Sequence, residues 1–304
     1  MADEESVTLK SRTHSPADLA SGLRTLLRTF ADDSKPHRVL VAIDELDKIS
    51  STDDLIETIN GLKDLFHIQG VHFIVTVSTD ALRCFEQRGL VARDAFDSSF
   101  DTIIGVDSLT FEESLKILAA RAQGFPPILG LFCHAWSGGL PRDLLRVARR
   151  CVEIQRHSQS NLQLTALIRA VISEDLAAVI EAELRNEDLP EDHVKYLCEL
   201  RQYARMLRGS DSAAETVPAL PTEFRSAVAD TVSLGAALVR FFSDLVGSET
   251  TWDGWEGEAY CALQTTADLA AHAMACRTET RALRDEAFDV ALRACDTPAP
   301  RHSG

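Results

Sequence analysis

Val39-Leu-Val-Ala-Ile-Asp44-Glu45-Leu-Asp47-Lys48 is the stretch on which the reading of this chain turns. Its apolar run, entered from Arg38, has the continuous character of a strand buried on both faces of a parallel sheet. A strand that ends in two acids delivers them to the carboxyl edge of that sheet, where open α/β folds bind ligands. Outward from it the periodicity predicts a helix over 51–66 and a second buried strand over 71–77, ended by Ser78-Thr79-Asp80. A short helix over 81–88, a third strand over 102–106 and a helix over 111–123 follow. Upstream lie a short strand over 7–10 and a helix over 15–33, with Ser15 as its cap and Pro16 in its first turn. Strands alternating with helices imply crossover connections and a parallel α/β sheet.

Beyond Gly124-Phe-Pro-Pro the pattern is helical throughout. Helices are predicted over 128–136, 141–157, 164–185, 191–208, 222–246 and 256–292, with a break at Gly138-Gly139 and a Ser/Ala/Pro-rich linker over 209–221. The expected organisation is an α/β core over 1–124, a helical lid over 125–160 and an acidic helical domain over 161–304. No internal repeat is visible.

The 304 residues carry 31 Lys and Arg against 47 Asp and Glu, a net charge of −16. Such a body repels nucleic acid and anionic membrane, so neither is expected as a partner. Residues 1–160 hold 18 basic and 23 acidic side chains, and 161–304 hold 13 and 24, which places any anion site in the first half. The seven cysteines lie at least 15 residues apart, without CxxC or zinc-ligand spacing. They read as reduced thiols of a cytoplasmic protein. The first ten residues lack the pattern of a signal peptide, and no uncharged apolar run is long enough to span a bilayer.

Four segments carry chemistry together: the strand ending in Asp44-Glu45, the strand ending in Ser78-Thr79, the stretch with Arg88, Arg93 and Ser98-Ser-Phe-Asp101, and Gly138-Gly-Leu-Pro-Arg142. Over about residues 7–157 they resemble the P-loop NTPases of the AAA+/STAND superclass, with the KAP group as the nearest likeness. The resemblance implies an α/β fold with a parallel-sheet NTPase-like core, an all-helical lid and a C-terminal helical domain, and Mg²⁺ and ATP as cofactors. It implies that Asp44 and Glu45 match Walker B, Asp44 holding Mg²⁺ through water and Glu45 polarising the attacking water. It implies further that Ser78 or Thr79 matches sensor 1, Arg88 or Arg93 an arginine finger, and Arg142 the sensor 2 arginine. Each has a plainer reading: Asp44 as a helix cap, Ser78 and Thr79 as turn residues, the arginines as solvated charge. Arg142 also lies in a helix first turn, where unpaired amides favour an anion, and Arg142, Arg146 and Arg150 recur at i+4 spacing with Arg149 beside them.

The phosphate-binding Gly-x-x-x-x-Gly-Lys-Ser/Thr is missing: none of the 15 glycines is followed by Lys or Arg. The core is thus expected to be incomplete at its N-terminus, entering the fold at its second strand. A displaced start, a scaffold that has lost nucleotide binding, or a partner that supplies the missing part would each account for this. The expectations are therefore an ATP-binding regulatory module with weak or no hydrolysis, or a non-enzymatic interaction scaffold, each with a homo-oligomer or partner protein possible. A DNA-binding initiator rests only on the Arg142 to Arg150 stripe. Cys133-His134 reads as a buried thiol beside a polar histidine, and Trp252, Trp255 and Tyr260 as core residues or a partner surface.

Overall fold

The computed structural model describes residues 15–33, 38–45, 52–78, 100–158, 162–186, 188–209, 214, 226–247 and 258–297. The expected elements over 7–10 and 81–88, nearly all of the 209–221 linker, Trp252 and Trp255 lie outside them. The chain forms two compact units, 1–105 and 106–304.

In the first unit, α1 (Pro16–Asp33), β1 (Val39–Ile43), α2 (Thr52–Phe66) and β2 (Val71–Val75) follow in order. Ser15 caps α1 as expected: its hydroxyl accepts from the Asp18 amide at 3.2 Å while the Asp18 carboxylate accepts from the Ser15 amide at 3.1 Å. The strands are parallel, with Val39 opposite Val71 and Ile43 opposite Val75, and α2 makes the crossover between them. Leu27 and Ala31 of α1, Leu65 of α2, Ile68 and Val71 form the core, with Val39, Val41 and Phe73 packed on it. The strands are therefore covered on one face only among the described residues. Leu40 and Ile74, on the other face, are 63% and 53% exposed, where the apolar run predicts burial on both sides.

The second unit contains α3 (Phe111–Arg121), α4 (Pro127–Ser137), α5 (Pro141–His157), α6 (Leu164–Glu183), α7 (Glu191–Gly209), α8 (Ala227–Gly247), α9 (Glu258–Ala275), a 3₁₀ turn (Cys276–Thr278) and α10 (Arg281–Asp296). One core runs from Phe111 to Cys295, so 125–160 and 161–304 pack together, and α3 joins them through contacts with α4, α5 and α9. At the centre is α4, whose residues Ile128 to Ser137 are all buried. A helix that is apolar all round has no solvent face and must be wrapped. Phe132 meets Phe242 of α8 edge-on at 5.8 Å, and α5 turns Leu144, Val147, Ala148 and Cys151 inward. A reciprocal cap starts α3, with the Thr110 hydroxyl accepting from the Glu113 amide and the Glu113 carboxylate from the Thr110 amide.

Two further expectations fail on described residues. Residues 102–106 form no strand: Ile104 and Val106 are 79% and 94% exposed, and a short apolar run reads alike in a strand and in an extended connection. The single helix predicted over 256–292 is two, because the 3₁₀ turn and Thr280 interrupt it. The break at Gly138-Gly139 is where the sequence puts it. Gly138 closes α4 in the left-handed region, and Gly139 has φ +66° with its Cβ direction only 2.7 Å from the Leu109 carbonyl oxygen. Gly139→Ala would be strained both in φ and against backbone, and is expected to cost about 1–3 kcal/mol. Urea denaturation of the variant measures this, and a loss within error of zero would show that the loop relaxes freely.

Candidate functional site

Asp44 and Glu45 leave the end of β1 into solvent. Because Ile43 pairs with Val75, the next residue of each strand stands side by side, which brings Thr76 to Asp44. The Thr76 amide donates to the Ile43 carbonyl at 3.0 Å. Its hydroxyl donates to Asp44 Oδ1 at 2.5 Å and accepts from the Glu45 amide at 3.0 Å. Glu45 has φ +55°, the only non-glycine among the described residues in the left-handed region. That conformation costs about 1–2 kcal/mol for an ordinary L-residue, and such strain gathers at functional positions.

Thr76 thus stands beside the acids, and Ser78, two residues farther on, is exposed. The sequence reading carries β2 to residue 77 and so looks past Thr76; matching the five-residue lengths of the two strands would have found it. Thr79, Arg88 and Arg93 lie outside the described residues. Arg142 is exposed in the first turn of α5, in the second unit. The donor set at the sheet edge is small, since one Asp44 oxygen already accepts from Thr76 and no group of three His, Cys, Asp or Glu side chains converges among the described residues. Mg²⁺ keeps most of its water and takes phosphate oxygens, so a single carboxylate fits it as a water-mediated contact and not as a cage.

The arginine stripe of α5 is partly absorbed by acids. Arg146 donates to Asp143 at 2.7 Å, and Arg150 donates twice to Glu174 of α6, at 2.6 and 3.1 Å. Arg208 of α7 meets the other Glu174 oxygen at 3.2 Å. Among the described residues Arg142 and Arg149 have no carboxylate partner.

A second constellation, which the sequence reading misses, joins three helices around His134 of α4. Ser114 of α3 lies 2.8 Å from Nδ1, and Asp268 Oδ1 of α9 lies 3.0 Å from Nε2. Asp268 Oδ1 also accepts from the Phe111 amide at 3.2 Å, one of the free N–H groups that open α3. With the ring neutral, Nε2–H donates to Asp268 and Nδ1 accepts from the Ser114 hydroxyl. These are the residue types of a nucleophilic triad, but Ser114 is fully buried and His134 1% exposed, so the hydroxyl meets no substrate. The arrangement locks helices together. Its partners are 20 and 134 residues away in sequence, beyond any local motif. Beside it Cys133 faces Cys151, and burial pushes the Cys133 thiol well up, as expected of an inert thiol.

Burial lowers the His134 pKa below its ordinary 6.5, against the opposing pull of Asp268. The unfolded chain then takes the proton first, so this contribution to stability is complete above 6.5 and is lost as pH falls through that value toward the lowered folded one. Unfolding free energy measured from about pH 8 to pH 5 should fall less steeply in His134→Gln than in the parent. Equal slopes would remove His134 from the pH response.

No protein-family model, curated protein or solved structure matches this chain.

Proposed function

We propose that this chain is a regulatory module of the P-loop NTPase type, in the AAA+/KAP manner, whose first unit offers an acidic sheet edge to Mg-ATP and whose helical unit answers to a partner protein or a second copy. The observation that carries this reading is the Thr76 hydroxyl joined to both Asp44 Oδ1 and the Glu45 amide at the end of a parallel strand pair. Asp44 would hold the metal's water shell, Glu45 would orient a water against the phosphate, and Thr76 fixes the backbone that aims them. Bound Mg²⁺ would supply neutralisation of phosphate charge. Arg142, exposed and without a carboxylate partner among the described residues, suits phosphate recognition. No glycine is followed by Lys or Arg in the 304 residues, so this chain holds phosphate weakly and turns ATP over slowly or not at all.

A non-enzymatic scaffold on the same framework is the second reading, favoured by that missing loop and by the burial of Ser114 and His134 in the helical unit. Thermal unfolding separates the two, because a ligand stabilises only the state it binds. Millimolar Mg-ATP should raise the melting temperature of the parent and of Glu45→Gln, but not of Asp44→Ala. Thr76→Val should reduce the rise, since it removes the hydroxyl that orders both acids, at about 1 kcal/mol per hydrogen bond. No rise in the parent supports the scaffold. ATP turnover at an ordinary enzymatic rate, abolished in Glu45→Gln, would overturn the claim of weak hydrolysis.

A further inference from the structure

α1 carries a second apolar face besides the one it gives to the core. Leu27 and Ala31 are buried in the first unit, whereas Leu19, Leu23, Leu26 and Phe30 are 60%, 41%, 50% and 50% exposed. Their spacing of four, three and four residues lines them up as one strip about 16 Å long on the outer side of the helix. A single exposed leucine is ordinary, but four large apolar side chains in line on one helix mark an interaction surface. The strip has the pattern of a coiled-coil seam, so the shape that fits it is another helix.

The residues beside the seam let a second helix come close. Gly22 and Thr29 flank it, and the Cβ direction of Gly22 meets no atom within 4 Å. The Thr25 and Thr29 hydroxyls donate to the Ser21 and Thr25 carbonyls, both at 3.0 Å, so covering them strands no donor. No charged residue lies in the strip. Arg24 is drawn aside to Asp64 of α2 at 2.8 Å, and the Asp18 carboxylate accepts from the Ser15 hydroxyl of the cap at 2.8 Å.

The seam is also self-complementary. Reversed about the point midway between Arg24 and Thr25, it lays Leu23 on the partner's Leu26 and Phe30 on the partner's Leu19, and each contact occurs twice, as a two-fold interface requires. Charge sets the antiparallel direction. Asp32 and Asp33 end α1, where the helix dipole disfavours them. Reversal sets Asp33 beside the partner's Pro16, at the end where unpaired amides favour an acid, whereas a parallel pair would set Asp33 against the partner's Asp33.

We propose that the outer face of α1 is a self-association surface, on which a second copy of this chain docks its own α1 antiparallel through Leu19, Leu23, Leu26 and Phe30. A seam of four side chains is small beside the roughly 1,200–2,000 Å² that stable interfaces bury, so the pairing is weak, with a dissociation constant on the order of 100 µM. The contact does not use the acids of the sheet edge and stands whether or not they take Mg-ATP.

Sedimentation equilibrium of the full chain from about 5 to about 500 µM tests this, with a monomer passing into a dimer across the range as the expected result. Leu23→Glu and Leu26→Lys, both at exposed positions, should each weaken the dimer at least about tenfold, since each puts a charge into an apolar seam, with circular dichroism confirming that they fold. Mixed in equal amounts, the two variants should associate more tightly than either alone, because only the reversed register sets the two new charges, of opposite sign, against each other. A parent that stays monomeric at every concentration, a dimer unmoved by Leu23→Glu, or a mixture no tighter than its components would each overturn the proposal.

Discussion

The helical unit depends on the burial of α4. Ten of its eleven residues are buried, so neighbouring helices must cover its whole circumference. Burial of an apolar surface is non-directional and would tolerate many rotations of those neighbours. The polar groups on α4 remove that freedom, because a buried donor or acceptor left unpaired costs about 1–3 kcal/mol. His134 requires Ser114 and Asp268, the Trp136 indole requires Asp175, and the Ser137 hydroxyl turns back to the His134 carbonyl at 3.1 Å. These few directional bonds fix α3, α6 and α9 around a centre that is otherwise oil-like.

What could be read from the sequence follows the range of the forces involved. The 141–157 helix was legible because Pro141 opens it and its apolar residues recur at helical spacing. The break before it was legible because glycine accepts left-handed φ. Residues 102–106 were misread because an exposed apolar connection and a strand share a composition. The break at 276–280 escaped because Ala275, Cys276 and Arg277 carry no stop signal; Thr280, starting α10, was the available cue. At the sheet edge the two acids were legible from the strand they follow, whereas Thr76 needed the pairing register. The His134 network could not be read locally, since neither Ser114 nor Asp268 is a neighbour in sequence.

The first unit shows a different economy. Its two strands use alternate residues for the helix-covered core and leave Leu40 and Ile74 outward. A parallel pair with one face uncovered among the described residues is unusual, since parallel sheets are ordinarily covered on both. The left-handed Glu45 backbone sits at the end of this small sheet, where the Thr76 hydroxyl bonds both Asp44 and the Glu45 amide.

The His134–Asp268 bond closes a loop of 134 residues, whereas β1 and β2 pair across about thirty. Contacts of such different sequence separation divide the chain by kinetic cost as well as by geometry. Until α9 arrives, Nε2 of His134 and the first amide of α3 lack their shared acceptor, so a form with α9 detached carries the penalty of two orphaned groups. Docking of α9 thus completes the polar contacts of α3 and α4 in a single step.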